Sequence, residues 1–415
     1  METKRVVITG MGAITPLGND VDTFWQGIRE SRVGIGPITR FDAAGYGVSV
    51  AAEVKDFDPP EAHVLKKERK RMDLFSLYAL AAAGEAVDNA GLGEADLRDN
   101  LRAGVMVGSG IGGMTTIQEQ IIKMHDKGPD RMSPLFIPMG IANMAAGNIA
   151  IKYGMTGICT AIVTACATGT HSIGEAFRNI KHGYSDIILA GGTEASVIES
   201  GIGGFAALTA LTSEADPLRA SIPFDKDRSG FVMGEGAGVL VLEELEHAKA
   251  RGAKIYGEVV GYGATGDAYN MTAPRPDGSG AAAAMKLAME EAGITPAELG
   301  YINAHGTSTP HNDLPETDAV KLAMGDAAYK IPMSSTKSMT GHLLGAAGAI
   351  EAIVCLKAME EGFIPATAGL ETPGEGCDLD YVPKVGREAS INYALSNSLG
   401  FGGHNGVICL KKWVG

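Results

Sequence analysis

Cys166, His305 and His342 are the residues whose type and setting suit nucleophilic chemistry in this sequence. Cys166 stands in Thr164-Ala-Cys166-Ala-Thr-Gly169, where an apolar strand pattern gives way to a helix pattern. Unpaired N–H groups and the macrodipole at a helix start favour a thiolate, so this thiol is expected to have a depressed pKa. Small neighbours leave room for a substrate. Free cysteines are otherwise small buried hydrophobes, and Cys159, Cys355 and Cys409 are read that way. His305 follows the strand-like Tyr301-Ile-Asn-Ala and opens the polar loop Asn303-Ala-His305-Gly-Thr307-Ser-Thr309. His342 closes Ser335-Thr-Lys337-Ser-Met-Thr-Gly341-His342, again at a predicted helix start. A neutral imidazole at either place can donate a hydrogen bond to a developing oxyanion.

The elements that must position these groups are short apolar strands alternating with helical patterns, which predicts an α/β fold with parallel strands. Arg5 to Thr9, Val105 to Val107, Ala161 to Ala165 and Asp186 to Ala190 read as strands. After Cys166, the residues Ile173, Ala176, Phe177 and Ile180 make a core-facing helical stripe, and Gly183 sits where it should stop. Later in the chain, Lys254 to Gly263 echoes the first strand entering its Gly10-Met-Gly12 turn. Ile331 to Ser335 then leads through Gly341-His342 into a long helix ending near Gly362. The echo predicts two pseudo-equivalent halves in one body, since no Pro/Ser-rich linker divides them.

At 415 residues the chain suits one large α/β body or two fused halves. A net charge of −14 argues against nucleic-acid or anionic-membrane binding. No signal-peptide pattern or membrane-length apolar run is present, and five cysteines without a CxxC pair suit a cytoplasmic setting. Gly108, Gly110 and Gly113 imitate a dinucleotide fingerprint, but the acidic residue that should follow a second strand is missing. A structural turn is the better reading there.

The strings TACATGT, FDKDRSGFVMGEGAG, NAHGTSTP, STKSMTGHLLGAAGAIEA and SNSLGFGGHNG together resemble the signature blocks of the β-ketoacyl-[acyl carrier protein] synthases, closest to the type II elongation branch. They stand in family order over nearly the whole chain. The resemblance implies a thiolase-type fold of five αβαβα layers, usually as a homodimer. Its halves would be residues 1–252, carrying the nucleophile, and 253–415, carrying both histidines. It implies an acyltransferase that joins an acyl thioester to malonyl-[acyl carrier protein] by decarboxylative Claisen condensation, giving a β-ketoacyl product in fatty acid elongation. No cofactor is required, since phosphopantetheine arrives on the carrier protein.

By the same resemblance, Cys166 is acylated and His305 and His342 bind the enolate oxygen left by decarboxylation. The backbone N–H groups of Cys166 and Phe401 form an oxyanion hole, Phe401 gates the acyl pocket, and Ile111 lines it. Thr307 and Thr309 hold the pantetheine arm, and Lys337, paired with Asp313 and Glu316, orients the active-site charges. Asn303, Glu351, Ser396 and Asn405 fall at a structural sodium or potassium site, with a solvated helix face as the other reading of Glu351. A thiolase would need a second cysteine in the turn Leu399-Gly-Phe401-Gly-Gly403, which has none. A non-catalytic chain-length-factor-like partner would lack the nucleophile, while a polyketide-type ketosynthase shares the chemistry and stays open. Lys66, Lys67, Arg69, Lys70 and Arg71, extended by Lys127 and Arg131, form a basic run in an acidic chain. Without interleaved aromatics it suits an acidic carrier protein rather than nucleic acid.

Overall fold

The computed structural model describes residues 3–415. Ten strands carry the fold: β1 (Val6–Ile14), β2 (Ala103–Ser109), β3 (Cys159–Thr160), β4 (Ile187–Glu194), β5 (Gly236–Glu244), β6 (Gly257–Gly266), β7 (Leu299–Asn303), β8 (Met333–Ser334), β9 (Tyr393–Gly400) and β10 (His404–Lys412). They are hydrogen-bonded in the order β8-β7-β9-β10-β6-β1-β5-β4-β2-β3. Numbered within its own half, each set of five runs third, second, fourth, fifth, first. Directions match too: β2 is parallel to β3 and β4, as β7 is to β8 and β9, while the remaining pairs are antiparallel. The two first strands meet at the centre, Val6 opposite Val259.

Six helices complete the layers: α1 (Leu74–Ala90), α2 (Met144–Tyr153), α3 (Thr168–Lys181), α4 (Ser279–Ala292), α5 (Asp313–Met324) and α6 (Ala347–Glu361). α1 and α2 cover the outer face of the first five strands; α4, with α5 against it, covers the second five. Between them α3 and α6 pack on each other, which gives αβαβα. α6 is buried without a break from Ala347 to Leu356, so it shows no amphipathic stripe.

The Gly10-Met-Gly12 repeat is a packing device rather than a turn. Gly10 and Gly12 lie within β1, where an added Cβ would stand 2.2 Å from the Ala86 carbonyl and 1.9 Å from that of Ala82 in α1. Gly261 and Gly263 do the same in β6, at 2.0 Å from the Ala288 carbonyl and 1.8 Å from that of Ala284 in α4. The absence of side chains lets each outer helix touch its first strand. A second expectation also moves: Ala161 to Ala165 is not a strand. β3 stops at Thr160 and irregular backbone carries the chain to Cys166.

Candidate active site

The turn carrying Cys166 is strained. Ala165 has φ 51°, and the 3-10 turn Ala165–Ala167 then runs on into α3. A left-handed residue other than glycine costs about 1–2 kcal/mol, so the surrounding structure must hold it. The second half repeats the device, with Leu344 at φ 48° and a 3-10 turn Leu344–Ala346 leading into α6. His342 stands just before that turn. Cys166 and His342 thus come from pseudo-equivalent loops, between β3 and α3 and between β8 and α6.

A cavity of about 380 Å³ is lined by Cys166, His305, His342, Thr307, Thr309 and Phe401. Cys166 belongs to an apolar cluster with Val197, Ile202, Phe231 and Leu344, against which Ile111 packs. Burial pushes the Cys166 thiol up to about 12, against the pull of Lys337 and of the N–H groups of Phe401 and Cys166 itself. This corrects the depressed pKa expected from the helix start: burial outweighs it, and the resting group is a thiol. Both N–H groups favour negative charge at this position, as donors to an oxyanion would.

The imidazoles of His305 and His342 are edge-to-face with centroids 5.2 Å apart. His305 Nδ1 faces Lys337 Nζ at 3.4 Å, and His342 Nδ1 accepts the Leu344 N–H at 3.3 Å. An ammonium and an amide can only donate, so both Nδ1 atoms are acceptors and both rings carry their proton on Nε2. Burial, with Lys337 adding to it, holds both imidazoles well below the usual histidine range. They are neutral donors at physiological pH.

Lys337 is buried, donates to the His305 carbonyl at 2.6 Å and forms an ion pair with Glu351. The expected pairing with Asp313 is therefore wrong. Asp313 instead accepts the Phe224 N–H at 2.8 Å and faces Arg228 at 3.6 Å. Glu316 holds the His305 loop by accepting the N–H groups of His305 and Gly306, each at 2.7 Å. Nor is Glu351 on a solvated helix face; it is buried in the central layer. Its second oxygen, Asn303 Oδ1 and Ser396 Oγ are buried without a hydrogen-bond partner, and Ser396 is in register with Asn303. Unpaired buried oxygens of this kind suit a hard cation. The fourth expected ligand, Asn405, is not among these unpartnered oxygens; its Nδ2 donates to Asp267 at 2.7 Å.

Thr307 and Thr309 share a 2.9 Å hydroxyl hydrogen bond at the cavity wall. Of the basic run, Lys66, Lys67, Lys70 and Arg71 are exposed, as are Lys127 and Arg131. Arg69 is not free, since it donates to Asp58 and to the Pro59 carbonyl, each at 2.7 Å. Cys355 and Cys409 are buried as expected, but Cys159 is exposed on the edge strand β3. The sequence reading missed Phe205, whose ring bridges Phe231 (5.5 Å) and Phe401 (6.1 Å), and it missed Glu194. A carboxylate ending an apolar strand that runs Ile187-Ile-Leu-Ala-Gly-Gly-Thr-Glu194 was the available signal for the latter.

Residues 3–248 match the family model for the β-ketoacyl synthase N-terminal domain, and residues 256–371 match that for the C-terminal domain. A 3-oxoacyl-[acyl-carrier-protein] synthase 2 of Synechocystis sp. is 53% identical over 414 residues, covering 100% of this chain and 99% of that protein. One from Staphylococcus aureus is 52% identical, with 99% of each chain covered. A solved complex of a type II PKS acyl-carrier protein with its ketosynthase has a TM-score of 0.92 at 36% identity, covering 99% of this chain and 100% of that one. With both family domains matched in order around a cysteine and two histidines that share one cavity, the chain belongs to the β-ketoacyl synthase family.

Proposed function

We propose that this chain condenses an acyl group carried on Cys166 with malonyl-[acyl carrier protein], releasing carbon dioxide and giving β-ketoacyl-[acyl carrier protein] in fatty acid elongation. The observation that carries this reading is the pair of Nε2 donors on His305 and His342 in the cavity lined by Cys166. Cys166 attacks an acyl thioester, and its proton ends on the departing carrier thiol. The malonyl thioester then loses carbon dioxide, and the enolate oxygen is held by the two imidazoles. The enolate carbon attacks the acyl-Cys166 carbonyl, whose oxyanion faces the N–H groups of Cys166 and Phe401. Collapse expels the Cys166 thiolate, which takes up a proton. No base removes an α-proton, so no second cysteine is needed. The likeness to relatives named 3-oxoacyl-[acyl-carrier-protein] synthase 2, at about half identity, favours this over the polyketide reading. Acyl carriers of graded length with malonyl carrier should yield β-ketoacyl carrier and carbon dioxide in equal amounts. Acyl transfer without carbon dioxide would end the proposal.

Phe401 and Ile111 flank the acyl side of the sulfur, and Thr307 and Thr309 line the pantetheine side. The exposed Lys66, Lys67, Lys70 and Arg71, with Lys127 and Arg131, dock the acidic carrier; Arg69 chiefly braces their helix through Asp58. Lys66→Glu with Lys70→Glu should raise KM for carrier-linked substrates about tenfold at low salt and leave pantetheine thioesters unchanged. Equal losses on both substrate forms would remove the docking assignment. Around the edge strand β3 the side chains of Ile137, Ile141, Ile151, Ile158 and Val163 are exposed, an apolar surface that supports a homodimer. Five free thiols support a cytoplasmic setting.

Asn303, Glu351 and Ser396 hold a sodium or potassium ion, which would compensate the Glu351 oxygen that Lys337 leaves unpaired. The measurement is the melting temperature in potassium chloride against choline chloride at equal ionic strength. Potassium should stabilise by RT ln(1 + [L]/Kd), about 2.7 kcal/mol at a hundredfold excess over Kd, and Ser396→Ala should lose most of that gain. Identical curves in the two salts would dispose of the ion.

A further inference from the structure

Glu194 ends β4, and no step of the proposed chemistry uses it. Its side chain is buried and, among the described residues, has no cationic partner. Its carboxylate instead collects donors from both halves. From the first it accepts the Ser109 hydroxyl and the Gly110 N–H, each at 2.9 Å, and the Ile111 N–H at 3.2 Å. From the second it accepts the Gly345 N–H at 3.1 Å. A Cβ on Gly110 or Gly345 would stand 2.7 or 2.9 Å from its Oε2 atom, so both loops close onto it more tightly than any side chain would allow.

These two loops flank the nucleophile. One follows β2, and the other is the left-handed turn that starts α6. Ile111 and Leu344, carried on them, belong to the apolar cluster that holds Cys166, and neither lines the open cavity. A buried carboxylate is costly unless its lone pairs are filled. Five donors fill them, the fifth being the Ser196 hydroxyl at 3.4 Å, and the four bonds from the two loops fix the distance between the loops. Burial also pushes Glu194 up to about 7, so the tie is strongest where the carboxylate is ionised.

We infer that Glu194 is a positioning residue for the acyl chain: by clamping the Gly110–Ile111 turn against the Leu344–Gly345 turn, it fixes Ile111 and Leu344 beside Cys166 and so sets which acyl lengths the sulfur can carry. This rests on Cys166 being the acylated residue. Glu194→Gln keeps the size but replaces one acceptor with an NH2 group that faces N–H donors. One loop is then released, and Ile111 moves into the path of a long chain. An acetyl group does not reach that far.

The test follows acylation of Cys166 by intact mass, using acetyl-, octanoyl- and palmitoyl-carrier with wild type, E194Q, I111A and the double variant. In E194Q the palmitoyl rate should fall about tenfold relative to the acetyl rate. In the I111A background, E194Q should change that ratio little further, because Glu194 acts through Ile111. A uniform loss at all lengths, tracking a lowered melting temperature, would reduce Glu194 to a structural residue and overturn the inference. So would an unchanged length profile. If E194Q fails to fold, Ser109→Ala removes a single donor and should shift the profile the same way by a smaller factor; no shift there overturns the inference equally. Wild-type protein that is never acylated at Cys166 would instead refute the nucleophile assignment, an outcome visible before any variant is compared.

Discussion

Cys166→Ala is expected to abolish condensation and leave the fold intact. Among the described residues Cys166 is the only thiol lining the cavity, and loss of a covalent nucleophile costs about 10⁴-fold or more. Structurally the change removes one sulfur atom from the apolar cluster formed with Leu344, Phe231 and Ile111. Stability should fall by about 1 kcal/mol. Circular dichroism and the melting temperature check the fold, and intact mass with peptide mapping checks the acyl group. Alkylating reagents cannot decide the matter, because exposed Cys159 is open to them as well. Acyl transfer can, since among the described cysteines Cys166 alone lines the cavity. An acyl group mapped to Cys159, Cys355 or Cys409 would overturn the assignment.

The sequence made the chemistry legible because it lies in contiguous strings. Cys166, His305 and His342 each sit in a short polar or small-residue stretch at the end of a strand, and such ends are visible along the chain. The two halves were legible as an echo of Gly10-Met-Gly12 in Gly261-Tyr-Gly263. The meaning of the echo was not, because a glycine needed for a turn and one needed for helix contact look the same until Ala86 and Ala288 are in place. Pairings were harder still. Lys337 is closer in sequence to Glu351 than to Asp313, but proximity along a chain says nothing about which face of α6 turns inward. Asn405 stands apart from the unpartnered oxygens for a similar reason: it follows Ser396 closely in sequence, but across the β9–β10 turn it pairs with Leu399 and its Nδ2 reaches Asp267. The depressed pKa expected for Cys166 failed because helix starts are readable in sequence and burial is not.

The halves also explain why the site is where it is. β3 to α3 delivers Cys166, and the equivalent β8 to α6 delivers His342. The loop after β7 brings His305, while its counterpart after β2 is the glycine-rich Gly108–Gly113 segment that imitates a nucleotide site. The β9–β10 turn brings Phe401, and the end of β4 brings Glu194. A duplicated frame thus brings equivalent loops to one cavity, and the copies differ in what they deliver there: Cys166 from one, His305 and His342 from the other.

His305→Ala and His342→Ala are each expected to slow carbon dioxide release about 10²- to 10³-fold while still permitting some acylation of Cys166. Each removes one preorganised donor to the enolate oxygen, a loss of the size seen when an oxyanion-hole donor is deleted. Their effects should not multiply in the double variant, because one donor without the other no longer holds the enolate in line with the acyl carbon. Gln separates a donor from a base: its amide nitrogen reaches roughly as far as Nε2 and donates, but it takes up no proton. His342→Gln should therefore keep clearly more decarboxylation than His342→Ala; equal loss in both would mean that proton uptake is essential and the donor role is wrong. Acidity supplies a second check. With burial and Lys337 holding both rings well below the usual histidine range, their neutral form persists below the unfolded value near 6.5. Carbon dioxide release should stay level as pH falls from about 8 to about 6. A decline centred near the ordinary histidine value would show that at least one ring titrates freely, and the buried neutral pair would have to be abandoned.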